Sequence, residues 1–280
     1  MSSVDVLGPR SSLILEAARL TRRKYRDQSR EFLAEGPQAV AAALDRSVVR
    51  VLYGTRDALD AHPQLSGAAH ASQVPVRFAD PQAMSRLSET VTPQHLVAVC
   101  GYVDVSVEQL CKRLANLKPV SFVAVLDQIQ DPGNAGTVLR AADAAGADAV
   151  IFGTDSVDPY NGKCVRASAG AVFHPLLTRG ESSSHTVAVL RSAGFQVLAA
   201  DARAGVSVYD LSRSGELSRP TAWLFGNEAR GLPPELLKQA DHSVSIPIYG
   251  RAESLNLGVA AALCLYASAQ SLRAEPTNGQ

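Results

Sequence analysis

Short apolar runs, each halted by glycine, proline, asparagine or aspartate, alternate along this chain with stretches of helical spacing. That pattern predicts an α/β protein. In the first third it places strands at Phe32–Glu35, Val48–Tyr53, Val74–Phe78 and Leu96–Tyr102. Between them it places helices from Pro37 through Leu44, over Arg56–Ala61 and over Pro81–Leu87, with Pro37 tolerated at a helix start. A helix ending at Pro119 reads as a linker. Beyond it, Val123–Leu126 is a strand, Asp127–Asn134 a loop and Ala135–Ala145 a helix, closed by Gly146 before a strand at Ala149–Phe152. This is a βαβ unit, with Asn134 as the expected N-cap and Gly146 as the terminating glycine. Two more apolar runs, Ala222–Phe225 and Ser243–Ile246, each stop at a polar loop. The second loop feeds a helix from about Ser254, where Leu255, Leu257, Val259, Ala261, Leu263 and Leu265 make it apolar nearly all round; such a helix is expected to be buried.

The loops after these strands carry an unusual side-chain set. Leu224-Phe-Gly-Asn-Glu-Ala-Arg-Gly-Leu232 and Ile246-Pro-Ile-Tyr-Gly-Arg-Ala-Glu-Ser-Leu-Asn-Leu-Gly258 place glycines, a carboxylate, amides and a serine beside apolar strands, which packing alone does not require. Polar loops and helix N-termini on a buried frame make a pocket for a small polar ligand. Structural readings exist for each residue: Asn134 and Ser254 as helix caps, Arg140 and Glu228 as solvated charges, Gly226 and Gly231 as turn glycines.

Taken together and in order, Asp131-Pro-Gly-Asn134 through Arg140, Phe225-Gly-Asn-Glu228 with Gly231-Leu232, and Ile246-Pro247 through Ser254-Leu-Asn256 resemble the three motifs of the SpoU (TrmH) RNA 2′-O-ribose methyltransferases, of the SPOUT superfamily. Lys163–Ala171 resembles the stretch that this family carries between its first two motifs. The resemblance implies a catalytic domain with a parallel sheet and a C-terminal trefoil knot, S-adenosylmethionine as cofactor, and a homodimer with sites at the dimer interface. By position it assigns the cofactor to Leu198, Ala199, Ala200, Phe225, Gly226, Asn227, Ile246, Pro247, Leu255 and Asn256. It assigns catalysis to Arg140, Asn134, Glu228, Ser254 and Asn256. Arg140 matches the family's motif-one arginine; a guanidinium is a poor base, so the reading favours a clamp on phosphate and nucleophile, with Asn134 orienting Arg140 or the ribose and Glu228 fixing Arg140 or another motif group. The α/β alternation before the motifs resembles the L30e-like substrate-binding domain of the family. The expected organisation is therefore a basic extension (1–30), an L30e-like domain (31–104), a linker (105–119), a SPOUT domain (120–273) and a tail (274–280).

Composition bounds rather than decides. The 280 residues suggest about two domains. Four cysteines without a Cys-x-x-Cys pair, and histidines without zinc spacing, leave no expected metal site and fit a reducing cytoplasm. No secretory pattern opens the chain, and no apolar run is long enough to span a bilayer. Glycine-rich nucleotide fingerprints and hydrolase elbows are absent from the sequence. A net charge of zero argues against a general nucleic-acid binder, but Arg19, Arg22, Arg23, Lys24, Arg26 and Arg30 cluster around Tyr25, a local patch suited to phosphate backbone. The expected substrate is ribosomal RNA, 23S rRNA first, in housekeeping or antibiotic resistance; a tRNA substrate or a non-catalytic RNA-binding role are the alternatives.

Overall fold

The computed structural model describes residues 6–115 and 122–273; the expected tail and the end of the expected linker near Pro119 lie outside the described residues. The chain forms two compact units. One runs to Val103 and includes Asp158–His174; the other holds Asp104–Val157 and the chain from Pro175 onward. The spatial units thus differ from the linear division: within the expected span from 120 to 273, Asp158–His174 packs with the N-terminal unit. The reason is a buried aromatic and ionic contact set. Tyr160 stacks on Tyr102 and packs tilted against Phe32, with ring centroids 4.0 and 4.5 Å apart, and Asp158 pairs with Arg26.

The N-terminal unit is built on a mixed four-stranded sheet. Strands β1 (Glu31–Glu35), β2 (Val49–Gly54), β3 (Val76–Phe78) and β4 (Leu96–Gly101) are ordered β1-β4-β2-β3, with only β2 and β3 parallel. All six residues of β4 are buried, as expected for an interior strand covered on both faces. Ile14, Leu20, Leu33, Met84, Leu87 and Val97 form the core that ties the first helices to the sheet. A helix that the pattern did not reveal covers Pro63–Ala71. Its sequence, PQLSGAAHA, is dominated by small residues, so little apolar periodicity marks it.

The second unit carries a seven-stranded, wholly parallel sheet. Its strands are β5 (Phe122–Leu126), β6 (Ala149–Gly153), β7 (Leu176–Glu181), β8 (Gln196–Ala200), β9 (Val206–Ser207), β10 (Thr221–Phe225) and β11 (His242–Ser245), in the order β7-β6-β5-β10-β8-β11-β9. The central strands are continuous apolar runs buried throughout, the signature of a sheet covered on both faces. The expected linker helix belongs to this unit: Val107–Leu114, started by a Ser106–Gln109 capping box, buries Leu110 and Leu114 in the sheet's core.

Two helices of this unit start just after polar loops. Pro132–Ala145 begins three residues earlier than expected: Asp131, not Asn134, is the N-cap, its carboxylate accepting from the Asn134 N–H at 2.8 Å. Pro132 at the first helical position fixes that start and frees the Asn134 side chain. Gly146 ends the helix at φ 78°. The last helix, Leu257–Arg273, starts beyond Ser254, so the expected cap at Ser254 is a loop residue. This helix lies against the first, so closely that a Cβ on Gly258 would sit 2.6 Å from Thr137 Cγ2. Arg273 donates to the Ala145 carbonyl at 3.0 Å, and Trp223 Nε1 donates to Ser268 Oγ at 2.9 Å. Contrary to the expectation of full burial, only one face packs; Val259, Leu263 and Tyr266 on the other are 49%, 37% and 52% exposed.

Candidate functional site

The carboxyl ends of β5, β8, β10 and β11 converge on one cleft of about 410 Å³, where ligands of open parallel sheets bind. β5, β8 and β10 are buried, mainly apolar runs that anchor their loops, β11 buries Val244 alone, and the loops supply the polar groups. Asn134, Phe225, Gly226, Asn227, Glu228, Ile246, Ser254, Leu255, Asn256 and Ala200, all among the candidate site residues, line it. Leu198 and Ala199 do not: both lie in the interior of β8, where side chains alternate into the core, and Pro247 is likewise outside the lining. Asp201, Ala202, Val244, Ile248, Leu257 and Ala260 also line the cleft, and nothing in local sequence pattern marked them. Only the sheet order brings the end of β8 beside the loop after β11.

A hydrogen-bonded chain links the three loops. Glu228 accepts from the Gln130 and Asp131 N–H groups at 3.3 and 3.2 Å and from Asn134 Nδ2 at 3.1 Å. Asn134 Oδ1 in turn accepts from Asn256 Nδ2 at 2.9 Å, and Asn256 Oδ1 accepts from the Gly258 N–H at 2.9 Å. Glu228 therefore fixes Asn134 and the β5 loop, not Arg140. Partial burial pushes its carboxyl upward, but these hydrogen bonds outweigh burial and leave it below the usual range.

The β10 loop is tightly wound. Asn227 donates to the Gln128 carbonyl at 2.8 Å and accepts from the Ala229 and Arg230 N–H groups, while Gly231 N–H closes back on the Asn227 carbonyl. A Cβ on Gly226 would strike the backbone of Gly231 and Leu232. Beneath, burial pushes the Asp127 carboxyl up, against a hydrogen bond that Ser183 donates at 2.6 Å.

Among the described residues, no turn or loop hydrogen bond between backbone groups engages Pro247 to Leu255. Open peptide groups in this loop, beside apolar Phe225, Ile246, Ile248 and Leu255, suit a heteroaromatic ligand whose edge both donates and accepts.

Arg140 sits on the exposed face of the Pro132–Ala145 helix, outside the lining of the cleft, and its side chain makes no hydrogen bond or ion pair among the described residues. In the basic cluster, Arg19, Arg22, Arg23, Lys24 and Arg30 are exposed, and Arg19 lies 5.8 Å from the Tyr25 ring centroid. Arg26 is the exception. It is 3% exposed, held by Asp158 Oδ2 at 2.7 and 3.0 Å and by the Leu20 and Thr21 carbonyls, and so is structural rather than an RNA contact. Among the described residues no three His, Cys, Asp or Glu side chains gather as a metal site, and no helix is long and apolar enough to cross a membrane.

The family described as SpoU rRNA Methylase matches residues 121–266, and an MRM3-like substrate binding domain matches residues 12–98. The chain belongs to the SpoU rRNA methylase family. Similar SpoU proteins include the 23S rRNA (guanosine(2553)-2′-O)-methyltransferase RlmP of Bacillus subtilis, 32% identical over 89% of this chain and 92% of the relative. The 23S rRNA (uridine(2479)-2′-O)-methyltransferase of Streptomyces viridochromogenes is 31% identical over 89% of this chain and 86% of its own length. Among solved structures, the AdoMet-bound rRNA methyltransferase from Sinorhizobium meliloti superposes with a TM-score of 0.80 at 30% identity, covering 96% of this chain and 99% of the other.

Proposed function

We propose that this SpoU protein transfers a methyl group from S-adenosylmethionine to a ribose 2′-oxygen of RNA, with 23S rRNA as the substrate. The observation that carries the reading is the Glu228–Asn134–Asn256 chain, which draws the three motif loops to one cleft with open backbone groups. Relatives whose names specify 23S rRNA 2′-O-methylation span nearly the whole chain, and this favours rRNA over tRNA.

The residues of the cleft fit the cofactor. Backbone groups between Ile246 and Leu255 would hold the adenine and ribose, flanked by Phe225 and Ile248, with Gly226 leaving the needed space. When bound, the cofactor supplies an electrophilic methyl carbon on a sulfonium, so the protein's tasks are alignment and handling of a proton. The 2′-oxygen forms its bond to carbon as the sulfur–carbon bond breaks, and the hydroxyl proton leaves to a phosphate oxygen or water. Arg140 clamps the nucleophile and its adjacent phosphate; a guanidinium keeps its charge without help from a neighbour. Asn134, oriented by Glu228, and Ser254 with Asn256 position the ribose from the cleft side.

The functional unit is a homodimer. Support comes from Val259, Leu263 and Tyr266, exposed along the last helix beside the Arg140 helix, with Leu255 just before it, an apolar face left open among the described residues. The C-terminal segment forms a trefoil knot, supported by β11 lying between β8 and β9 before the chain turns back to pack on Pro132–Ala145. The N-terminal unit is an L30e-like RNA-binding domain, supported by its helix-flanked sheet and its exposed basic cluster. Four free cysteines support work in the reducing cytoplasm.

The test is tritium transfer from labelled S-adenosylmethionine to unmodified 23S rRNA, 16S rRNA and tRNA, with Arg140→Ala as control. Label on 23S rRNA that the variant fails to deliver is the expected result. Label on tRNA alone, or on no pool, overturns the reading.

A further inference from the structure

The N-terminal unit contains a cavity of about 370 Å³ that the methyl-transfer site does not use. Its polar lining is Glu35, Gln38, Thr90, Thr92, Gln94 and Arg166. Glu35 and Arg166 form its built wall. The Glu35 side chain is 6% exposed, accepting from the Ser88 hydroxyl at 2.6 Å and from Arg166 Nη1 at 3.3 Å. Among the described residues Glu35 is the only hydrogen-bond partner of the Arg166 guanidinium, so most of its five donors remain available, and its side chain, 26% exposed, lines the cavity. A buried carboxylate that spends itself on holding one arginine at a cavity wall sets that arginine's orientation for something else.

Two further features build the opposite side. Gly36, at φ 94°, lies so close to the Gln94 side-chain amide that a Cβ there would collide with its oxygen, which places the amide at the rim. The Pro37–Asp45 helix starts at Gly36 without a side-chain cap, leaving first-turn N–H groups open. Pro37, Ala39 and Ala169 give the cavity flat apolar surface between these polar groups.

The charge balance decides the ligand class. One guanidinium against one carboxylate leaves the cavity without the positive surplus that a phosphate requires. Side-chain amides and hydroxyls that both donate and accept, a guanidinium plane and apolar walls match instead a nucleobase, with its hydrogen-bonding edge and stacking faces. We propose that this cavity takes the base of one unpaired nucleotide of the substrate RNA, stacked on Arg166 and read at its edge by Gln94, Thr90 and Thr92. The proposal rests on RNA being the substrate of the methyl-transfer site. It also gives a purpose to the Asp158–His174 excursion: sequence within the methylase match supplies the arginine that completes a recognition pocket in the N-terminal unit.

The experiment uses the full chain and equilibrium filter binding of unmodified 23S rRNA transcript, with methylation kinetics and cofactor titration alongside. Thr92→Trp fills the cavity from an exposed position and leaves the Glu35–Arg166 pair intact; Arg166→Gln removes the stacking plane. Each variant is expected to weaken rRNA binding about tenfold, the loss of one stacked base. KM should rise in parallel, with kcat, cofactor affinity and the salt dependence of binding unchanged. Wild-type rRNA affinity in Thr92→Trp overturns the proposal, and a salt slope reduced by about one overturns the base in favour of a phosphate. A wild-type protein that binds rRNA without methylating it sinks the methyltransferase reading alone, since the binding comparison still decides the pocket. Absence of rRNA binding by the wild type overturns both.

Discussion

Replacing Arg26 by alanine should unfold the N-terminal unit before it affects RNA. The side chain makes two hydrogen bonds to Asp158 Oδ2, at 2.7 and 3.0 Å, and two more to the Leu20 and Thr21 carbonyls, at 3.0 and 2.9 Å. Both partners of the ion pair are about 5% exposed or less, so deletion strands a buried carboxylate, at a cost of about 3–5 kcal/mol. The abandoned carbonyls add about 1 kcal/mol. For a unit whose total stability is on the order of 5–15 kcal/mol, this is a large fraction. The urea midpoint should fall by on the order of 2 M. The assay can separate the two units, because the single tryptophan, Trp223, is buried in the second. Circular dichroism should record an early transition in Arg26→Ala while tryptophan fluorescence keeps the wild-type midpoint. Arg23→Ala, which breaks only an exposed pair with Asp27, should move stability by less than about 1 kcal/mol. The double variant Arg26→Met, Asp158→Leu should recover much of the loss, because no charge is then left buried alone. If Arg26→Ala kept its stability and instead weakened rRNA binding with a smaller salt slope, the structural assignment would be refuted.

Arg140→Ala should lower kcat for methyl transfer by about a hundredfold or more while cofactor affinity, followed by calorimetry, stays at the wild-type value. Gly226→Ala should weaken cofactor binding at least tenfold, since its Cβ meets the backbone of Gly231 and Leu232; wild-type affinity would show that the loop yields freely. Glu228 should titrate below the usual carboxylate range. Its folded-state value is depressed, so it contributes stability above its unfolded value and loses it as pH falls through the folded one. Cofactor binding should therefore survive mild acidification and fail only below the ordinary carboxylate range, and Glu228→Gln should remove that acid limb. If the proposed dimer forms through this face, Leu263→Glu should yield a monomer in sedimentation and abolish transfer; a monomeric wild type would remove the basis for the expectation.

Much of the second unit was legible because its strands are uninterrupted apolar runs stopped by Asp127, Gly153 and Gly226, and parallel-sheet cores write themselves that way. The motif loops were legible from residue type, and the cleft gathers Asn134, Glu228 and Asn256 as expected. What escaped depends on sheet order. Asp201 and Ile248 enter the cleft only because β8 lies between β10 and β11, a placement no local pattern encodes. The cap was misplaced because Asp131 and Asn134 are equally good capping residues three positions apart, and Pro132 decides between them. Arg26 looked like its basic neighbours, since its buried partner lies 132 residues away. The last helix read as buried because apolar composition alone does not say whether its second face meets its own chain or another copy.

The return of Asp158–His174 to the N-terminal unit has a consequence for the order of events during synthesis. Translation delivers Arg26 and Phe32 long before Asp158 and Tyr160, with β5 and β6 of the second unit emerging between them. The first unit is therefore incomplete when its own strands are finished, and it must wait with a buried arginine unmatched until residue 174 has emerged. Vectorial folding, domain by domain, is not open to this chain. Cutting it at the first boundary would yield a fragment without its own counter-charge, so the first unit is expected to complete its fold only after part of the second has emerged.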